Sequence, residues 1–250
     1  MPIVKSIQKN KKTQTVHFDE QTVVLDSALV LKYHLSPGIE ISKQHMREMI
    51  AENEWLVYDK LAIERLKKIQ TVFELETFLK EKGAPTHVID ALMKRYHARK
   101  YIDDDIYVKT YIQLKKNKEG PLLMLEKLKQ KGVDQAIIDQ HLSKHDETSI
   151  LKNLVMNKIK ASRNKTKKEL IQQLKVYLLN KGFTMENTET NIKKGLIYFQ
   201  TDESALLEKT YAKLLKTYER KLEGYALKKA ITQKLLQKGY LYEDIKKLLP

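Results

Sequence analysis

The sequence predicts a mainly α protein: tandem three-helix repeats in an elongated, curved array, preceded by a small N-terminal antiparallel β meander. Three observations predict it. The pattern is helical almost without a break from Ser42 onward, whereas short β-type runs are confined to the first forty residues. A Lys-Gly pair interrupts helical apolar spacing four times, at Gly83, Gly132, Gly182 and Gly239, which lie 49, 50 and 57 residues apart. A recurrence at such a period signals tandem structural units. Finally, only eight glycines and five prolines punctuate 250 residues, which leaves little chain for long loops.

Each element follows from local chemistry. IVKSIQK (3–9), TQTVHF (13–18) and TVVLD (22–26) are short β-type runs divided by NKK and DEQ, the pattern of a meander. Ser27 can cap a short helix through Leu31 to His34, stopped by Ser36-Pro37-Gly38. Residues 1–41 thus form a β meander with one short helix, and residues 42–69 form linking helices that carry Trp55. Repeats are expected over 70–120, 121–165 and 166–224, with a terminal helix pair over 225–250 as a partial fourth.

Within each repeat, a helix ends at Lys-Gly and a second helix begins after one or more small or apolar residues. The stretches are LETFLKEKGAPTHVIDALMKRY, LEKLKQKGVDQAIIDQHL, LKVYLLNKGFTMENTETNIKK and AITQKLLQKGYLYEDIKKLL. A helix that stops and turns sharply needs a residue at positive φ, which glycine adopts freely. Lys82, Lys131, Lys181 and Lys238, just before it, complement the negative end of the helix dipole. Third helices are expected from Tyr101-Ile102-Asp103-Asp104-Asp105 to Lys116, from Asp146 or Thr148 towards Ile159, and from Thr201-Asp202-Glu203 to about Leu222. Their first residues are acidic or hydroxylic and can accept hydrogen bonds from free helix N–H groups. Short amphipathic helices bury their apolar stripes only when stacked, and stacking gives an extended body with a concave face.

Composition narrows the function. The chain has no cysteine, so disulfides, thiolate zinc sites and cysteine catalysis are excluded. No apolar run reaches the ~20 residues that span a bilayer. The start, MPIVKSIQKNKK, lacks the apolar core of a secretory signal, and a cytoplasmic setting with no membrane contact is expected. The net charge of +15 is uneven: residues 1–149 carry +3, whereas residues 150–250 carry 22 basic against 10 acidic residues, +12. That asymmetry favours contact with a polyanion, most naturally nucleic acid, with a strong salt dependence.

Catalytic signatures are missing. GxxxxGKS/T, GxGxxG and GxSxG do not occur, so no cofactor, no catalytic residue and no enzyme activity are expected. Asp103, Asp104 and Asp105 form the one dense carboxylate cluster; a helix cap explains it, and no calcium-loop spacing follows. His141 and His145 stand four residues apart, but they straddle a helix end and no HExxH glutamate accompanies them, so no metal site is read there.

The candidate binding residues lie in KIKASRNKTKKEL: Lys158, Lys160, Arg163, Lys165, Lys167 and Lys168, with no acidic residue before Glu169. These side chains, and the free N–H groups where the next helix starts, could contact phosphates. Lys193-Lys194, Lys228-Lys229 and Lys246-Lys247 extend the basic surface. Of the 13 tyrosines, most fall at apolar helical positions, for example Tyr96, Tyr107, Tyr111 and Tyr177, and read as core.

Assembled, these residues resemble the RecX family, regulators of the bacterial RecA recombinase, in its longer Gram-positive-type form. IVKSIQKNKK and LVLKYHLSPGIEI resemble the family's N-terminal strand and the helix-turn that follows. LAIERLKKIQTVFELETFLKEKG resembles its helix, Arg-x-Arg-Ser stretch and Leu-x-x-Lys-Gly ending. KYIDDDIYVKTYI resembles its Gly-Tyr-Leu-Asp-Asp-x-x-Phe-Ala-x-x-Tyr-Val motif through Tyr101, Ile102, Asp103, Asp104, Tyr107, Val108 and Tyr111, and LEKLKQKGVDQAII resembles the next repeat. Two departures stand out: Lys68-Ile69-Gln70-Thr71 replaces Arg-x-Arg-Ser, and Lys100 replaces the glycine. Lysine and glutamine do not supply the bidentate fork of arginine.

The resemblance implies a non-enzymatic, monomeric regulator of recombination, DNA repair and the SOS response. It would bind RecA and its single-stranded DNA filament, restrain ATP hydrolysis, strand exchange and filament extension, and bind DNA directly only weakly. The alternative is a RecA-independent architectural DNA- or RNA-binding helical-repeat protein.

Overall fold

The structure, a computed structural model, describes residues 1–162 and 164–249. It is mainly helical, with a small N-terminal antiparallel sheet and an array of α-helices. Strands β1 (Val4–Lys9), β2 (Thr13–Phe18) and β3 (Thr22–Asp26) pair in that order. The register sets Val4 opposite Phe18 and Val16 opposite Val23, with an irregularity between Val4 and Ser6. One face buries Val4, Val16, Phe18 and Leu25 against α1 (Ser27–Lys32) and the start of α2 (Lys43–Arg65). Period-two alternation produces that single apolar face. The free edge of β3 is covered by one side chain: Asn53 of α2 accepts from the Asp26 N–H at 2.8 Å and donates to the Val24 carbonyl at 3.0 Å. An edge met in this way offers no template for another strand.

The linking segment is a single 23-residue helix, α2, that stops at Arg65 rather than several helices running to residue 69. After it come α3 (Val72–Glu81), α4 (Thr86–Ala98), α5 (Asp104–Lys115), α6 (Pro121–Gln130), α7 (Gln135–Leu142) and α8 (Glu147–Lys160). The chain continues through α9 (Lys167–Asn180), α10 (Met185–Gly195), a 3-10 turn at Leu196–Tyr198, α11 (Glu203–Tyr218), α12 (Gly224–Lys238) and α13 (Tyr242–Leu248). Helix α11 ends at Tyr218, short of Leu222, because Glu223 and Gly224 already turn into α12.

Two compact units result: residues 1–107 with 131–134, and residues 108–130 with 135–250. In the first, α2, α3 and α4 enclose Leu75, Leu79, Leu92 and Tyr96. A buried polar group crosses that core. The Tyr96 hydroxyl donates to Asp59 Oδ1 at 2.6 Å, and Arg95 Nη1 reaches the same oxygen at 3.2 Å while its guanidinium lies 4.7 Å from the Trp55 ring centre. Burial, with the Asp59 carboxylate beside it, pushes the Tyr96 phenol well above its ordinary value. In the second unit one core lies among α8, α9 and α10, around Leu151, Leu174 and Phe183, and another among α11, α12 and α13, around Leu207, Leu235 and Ile245.

All four Lys-Gly glycines have positive φ, from 72 to 99°. Three of these turns also form joints. The Thr71 hydroxyl donates to the Lys131 carbonyl at 2.7 Å, and Lys131 Nζ meets Glu74 Oε1 at 2.5 Å. Thr166 likewise donates to the Lys238 carbonyl, and Lys238 Nζ meets Glu169 at 2.6 Å. Thr71 with Glu74, and Thr166 with Glu169, are complete capping boxes for α3 and α9. One capping box therefore serves both its own helix and a Lys-Gly turn far along the chain. Where Pro121 opens α6 there is no such threonine, and backbone takes its place. The Gly120 N–H donates to the Lys181 carbonyl at 2.6 Å, and the Leu122 N–H to the Gly182 carbonyl at 3.0 Å.

The three aspartates at the start of α5 divide their work. Asp103 Oδ1 accepts from the N–H groups of Asp105 and Ile106, at 3.0 and 3.3 Å. Asp104 instead accepts from the Val72 N–H at 2.9 Å, at the first turn of α3, and burial raises its pKa.

Candidate nucleic-acid interface

The basic tract begins in the last turn of α8 and ends in the first turn of α9. Helix α8 stops at Ala161, where the Ser162 hydroxyl donates back to the Lys158 carbonyl at 2.8 Å. Thr166 then starts α9. Free N–H groups at that start are fewer than the sequence suggests: the Thr166 hydroxyl takes the Glu169 N–H at 3.1 Å, and Glu203 Oε1 faces the Lys167 N–H at 3.4 Å. A phosphate at this helix end would compete with two carboxylates, Glu169 and Glu203, so side chains rather than backbone must supply the contacts.

Among the side chains, the structure separates two groups. Lys165 Nζ binds Gln173 Oε1 at 2.5 Å. The Lys168 stem lies against Gly239, and its Nζ points to the Leu236 carbonyl at 3.4 Å, so it packs at the joint. Lys158 Nζ stands 4.5 Å from the Tyr177 ring centre, whose other neighbour, Lys181, is 5.1 Å away. Such cations are partly satisfied by the aromatic face. Lys160, Lys167, Lys193 and Lys194 are exposed, as are Lys158 and Lys168 despite the contacts just described. Lys228 and Lys229 are exposed on α12, and Arg163 lies outside the described residues.

Lys194 shares a groove of about 420 Å3 with Lys152, between α8 and the end of α10. Lys160 lines a neighbouring groove with Tyr198 and Phe199. The sequence reading missed both Lys152 and Tyr198. A signal for the first was available, since Lys152, Met156 and Lys160 recur every fourth residue along α8, a stripe on one helix face. Among the described residues no group of three or more His, Cys, Asp or Glu could hold a metal ion, and no helix is long and apolar enough to cross a membrane.

No family model matches the chain. Curated relatives do. Regulatory protein RecX of Streptococcus sanguinis strain SK36 is 27% identical over 248 residues, covering 97% of this chain and 96% of the relative. Regulatory protein RecX of Listeria monocytogenes serotype 4a is 27% identical over 252 residues, covering 97% and 93%. By sequence, the chain is homologous to RecX. Two solved RecX structures share its fold. One covers 78% of this chain and all of its own, with a TM-score of 0.56 at 20% identity. The other, RecX from Lactobacillus salivarius, covers 58% of this chain and 99% of its own, with a TM-score of 0.54 at 19% identity.

The places where this chain departs from the RecX pattern now have local explanations. Gln70 is buried: its amide donates to the Arg65 carbonyl at 2.5 Å and its oxygen accepts from Arg65 Nε at 2.9 Å, so it faces α2 rather than a partner. Lys68 stays exposed. Lys100 holds the left-handed conformation, φ +58°, that a glycine takes without cost. It pairs with Asp103 at 3.3 Å. Adopting that conformation with a side chain costs about 1 kcal/mol.

Proposed function

We propose that the chain is a RecX-family regulator of homologous recombination that binds RecA–single-stranded-DNA filaments and restrains their ATP hydrolysis, strand exchange and extension. The observation that carries this reading is the similarity to RecX proteins across 97% of the chain. The electrostatics fit it: the +12 excess of residues 150–250 suits a partner built around a polyanion. Repeated units suit it too, because contacts that are weak singly add up when many engage one extended partner. The exposed lysines Lys160, Lys167, Lys193 and Lys194 are assigned to that contact.

Sedimentation tests the reading. The protein should pellet with filaments of RecA, single-stranded DNA and ATP, and stay in the supernatant with RecA alone or with the same DNA alone at physiological salt. Pelleting with bare DNA as completely as with filaments would favour the RecA-independent architectural role instead.

A further inference from the structure

The two most exposed neighbouring apolar side chains of the second unit lie in the 3-10 turn after α10. Ile197 is 79% exposed and Tyr198 68%, while Leu196 and Phe199 on either side pack into the α8–α9–α10 core. The turn places Tyr198 on the boundary of two grooves. On one side, floored by Val155 and Met156, stand Lys152 and Lys194 with the polar side chains of Ser149 and Asn191. On the other, about 340 Å3 in volume, stand Lys160 and Ser162. Among the described residues, none that lines either groove is acidic. Beside the first groove α10 packs directly on α8, since a Cβ on Gly195 would come within 2.5 Å of a Val155 methyl group.

We infer that Tyr198 is a stacking platform for one base of a single-stranded nucleic acid, with the flanking phosphates held by Lys152 and Lys194 on one side and Lys160 on the other. The order cation, aromatic face, cation matches the order phosphate, base, phosphate along a single strand. A duplex keeps its bases stacked on one another and offers none to a protruding ring. An acidic peptide would also supply the charge, but it offers no flat π-face to a ring that stands out from the surface. The same elements recur in the first unit: Tyr101 is 56% exposed at the α4–α5 corner, in a groove with Lys68, Ile69 and Lys100. There Asp103 is present and ion-paired to Lys100, which makes it the weaker site. This inference deepens the reading above and takes its cellular setting from it, but it is tested on DNA without RecA.

The experiment is fluorescence anisotropy of a labelled oligothymidylate at low salt, with the full-length protein. Tyr198→Ala should weaken binding about tenfold, whereas Tyr198→Phe, which keeps the ring, should stay within about twofold. Lys152→Glu with Lys194→Glu should lower the slope of log affinity against log salt by roughly 1.4. An oligonucleotide carrying 5-iododeoxyuridine should crosslink at Tyr198, and oligouridylate should bind comparably if the site reads only base and phosphate. Unchanged affinity in Tyr198→Ala, or equal losses in the alanine and phenylalanine variants, would overturn the proposal. Should filaments fail to bind the protein while Tyr198→Ala still loses oligonucleotide affinity, the site stands and the RecA reading falls. If filament binding persists with oligonucleotide affinity indifferent to Tyr198, the reverse holds.

Discussion

Gly182→Ala should lower the unfolding free energy by about 3 kcal/mol, read as a shift of the urea midpoint followed by far-UV circular dichroism. Two costs combine. A non-glycine residue at φ +82° loses roughly 1–2 kcal/mol against its preferred conformation. In addition, a Cβ at this position would press on the backbone nitrogen and Cβ of Leu123, and forcing atoms into a packed site costs about 1–3 kcal/mol more. Neither neighbour is a flexible side-chain end. Gly120 mirrors the crowding, because its own Cβ would sit 2.5 Å from the Gly182 carbonyl group. The control is Gly38→Ala. Its φ is +90°, but a Cβ there would have no atom within 4 Å, so only the conformational cost of about 1 kcal/mol should appear. Equal losses at 182 and 38 would mean that the backbone-to-backbone joint contributes nothing.

Reversing charge at Lys160, Lys167, Lys193 and Lys194 together, each to glutamate, should raise the protein concentration needed for half-inhibition of filament ATP hydrolysis by at least about tenfold. The log–log salt dependence of filament binding should fall by roughly 3, as four phosphate contacts are lost. Lys165 and Lys168 are left unchanged for a structural reason: one holds Gln173 and the other packs on the Gly239 turn, so their loss would confuse folding with binding. Urea midpoint and helical signal should match those of the unaltered protein. An unaltered inhibition curve would remove these four lysines from the interface.

Legibility in the sequence differed by feature, for physical reasons. The Lys-Gly turns stood out because a tight helix exit is most easily met by glycine, so the residue type itself reports the backbone conformation. The joints they build did not stand out, because Thr71 and Lys131 are 60 residues apart and no local pattern links them. Only the recurrence of Thr-x-x-Glu before α3 and α9, in TVFE and TKKE, hinted that two first helices share a task, and Gly120-Pro121 breaks that recurrence at α6. The binding surface was legible as charge and illegible as geometry. Lysine has one letter whether its ammonium faces solvent, as at Lys160, or caps an aromatic ring, as at Lys158. Tyr198 was hidden for a further reason: LIYF is a run of four apolar residues that reads as core. A 3-10 turn brings residues three apart onto one side, so Leu196 and Phe199 face inward and the pair between them faces out.

The most direct measurement is the steady-state rate of ATP hydrolysis by RecA on single-stranded DNA as this protein is titrated in. Engagement of the assembled filament predicts that the rate falls while the added protein is still well below the RecA concentration, and that added salt weakens the effect. A rate that stays constant up to equimolar protein at low salt would contradict it.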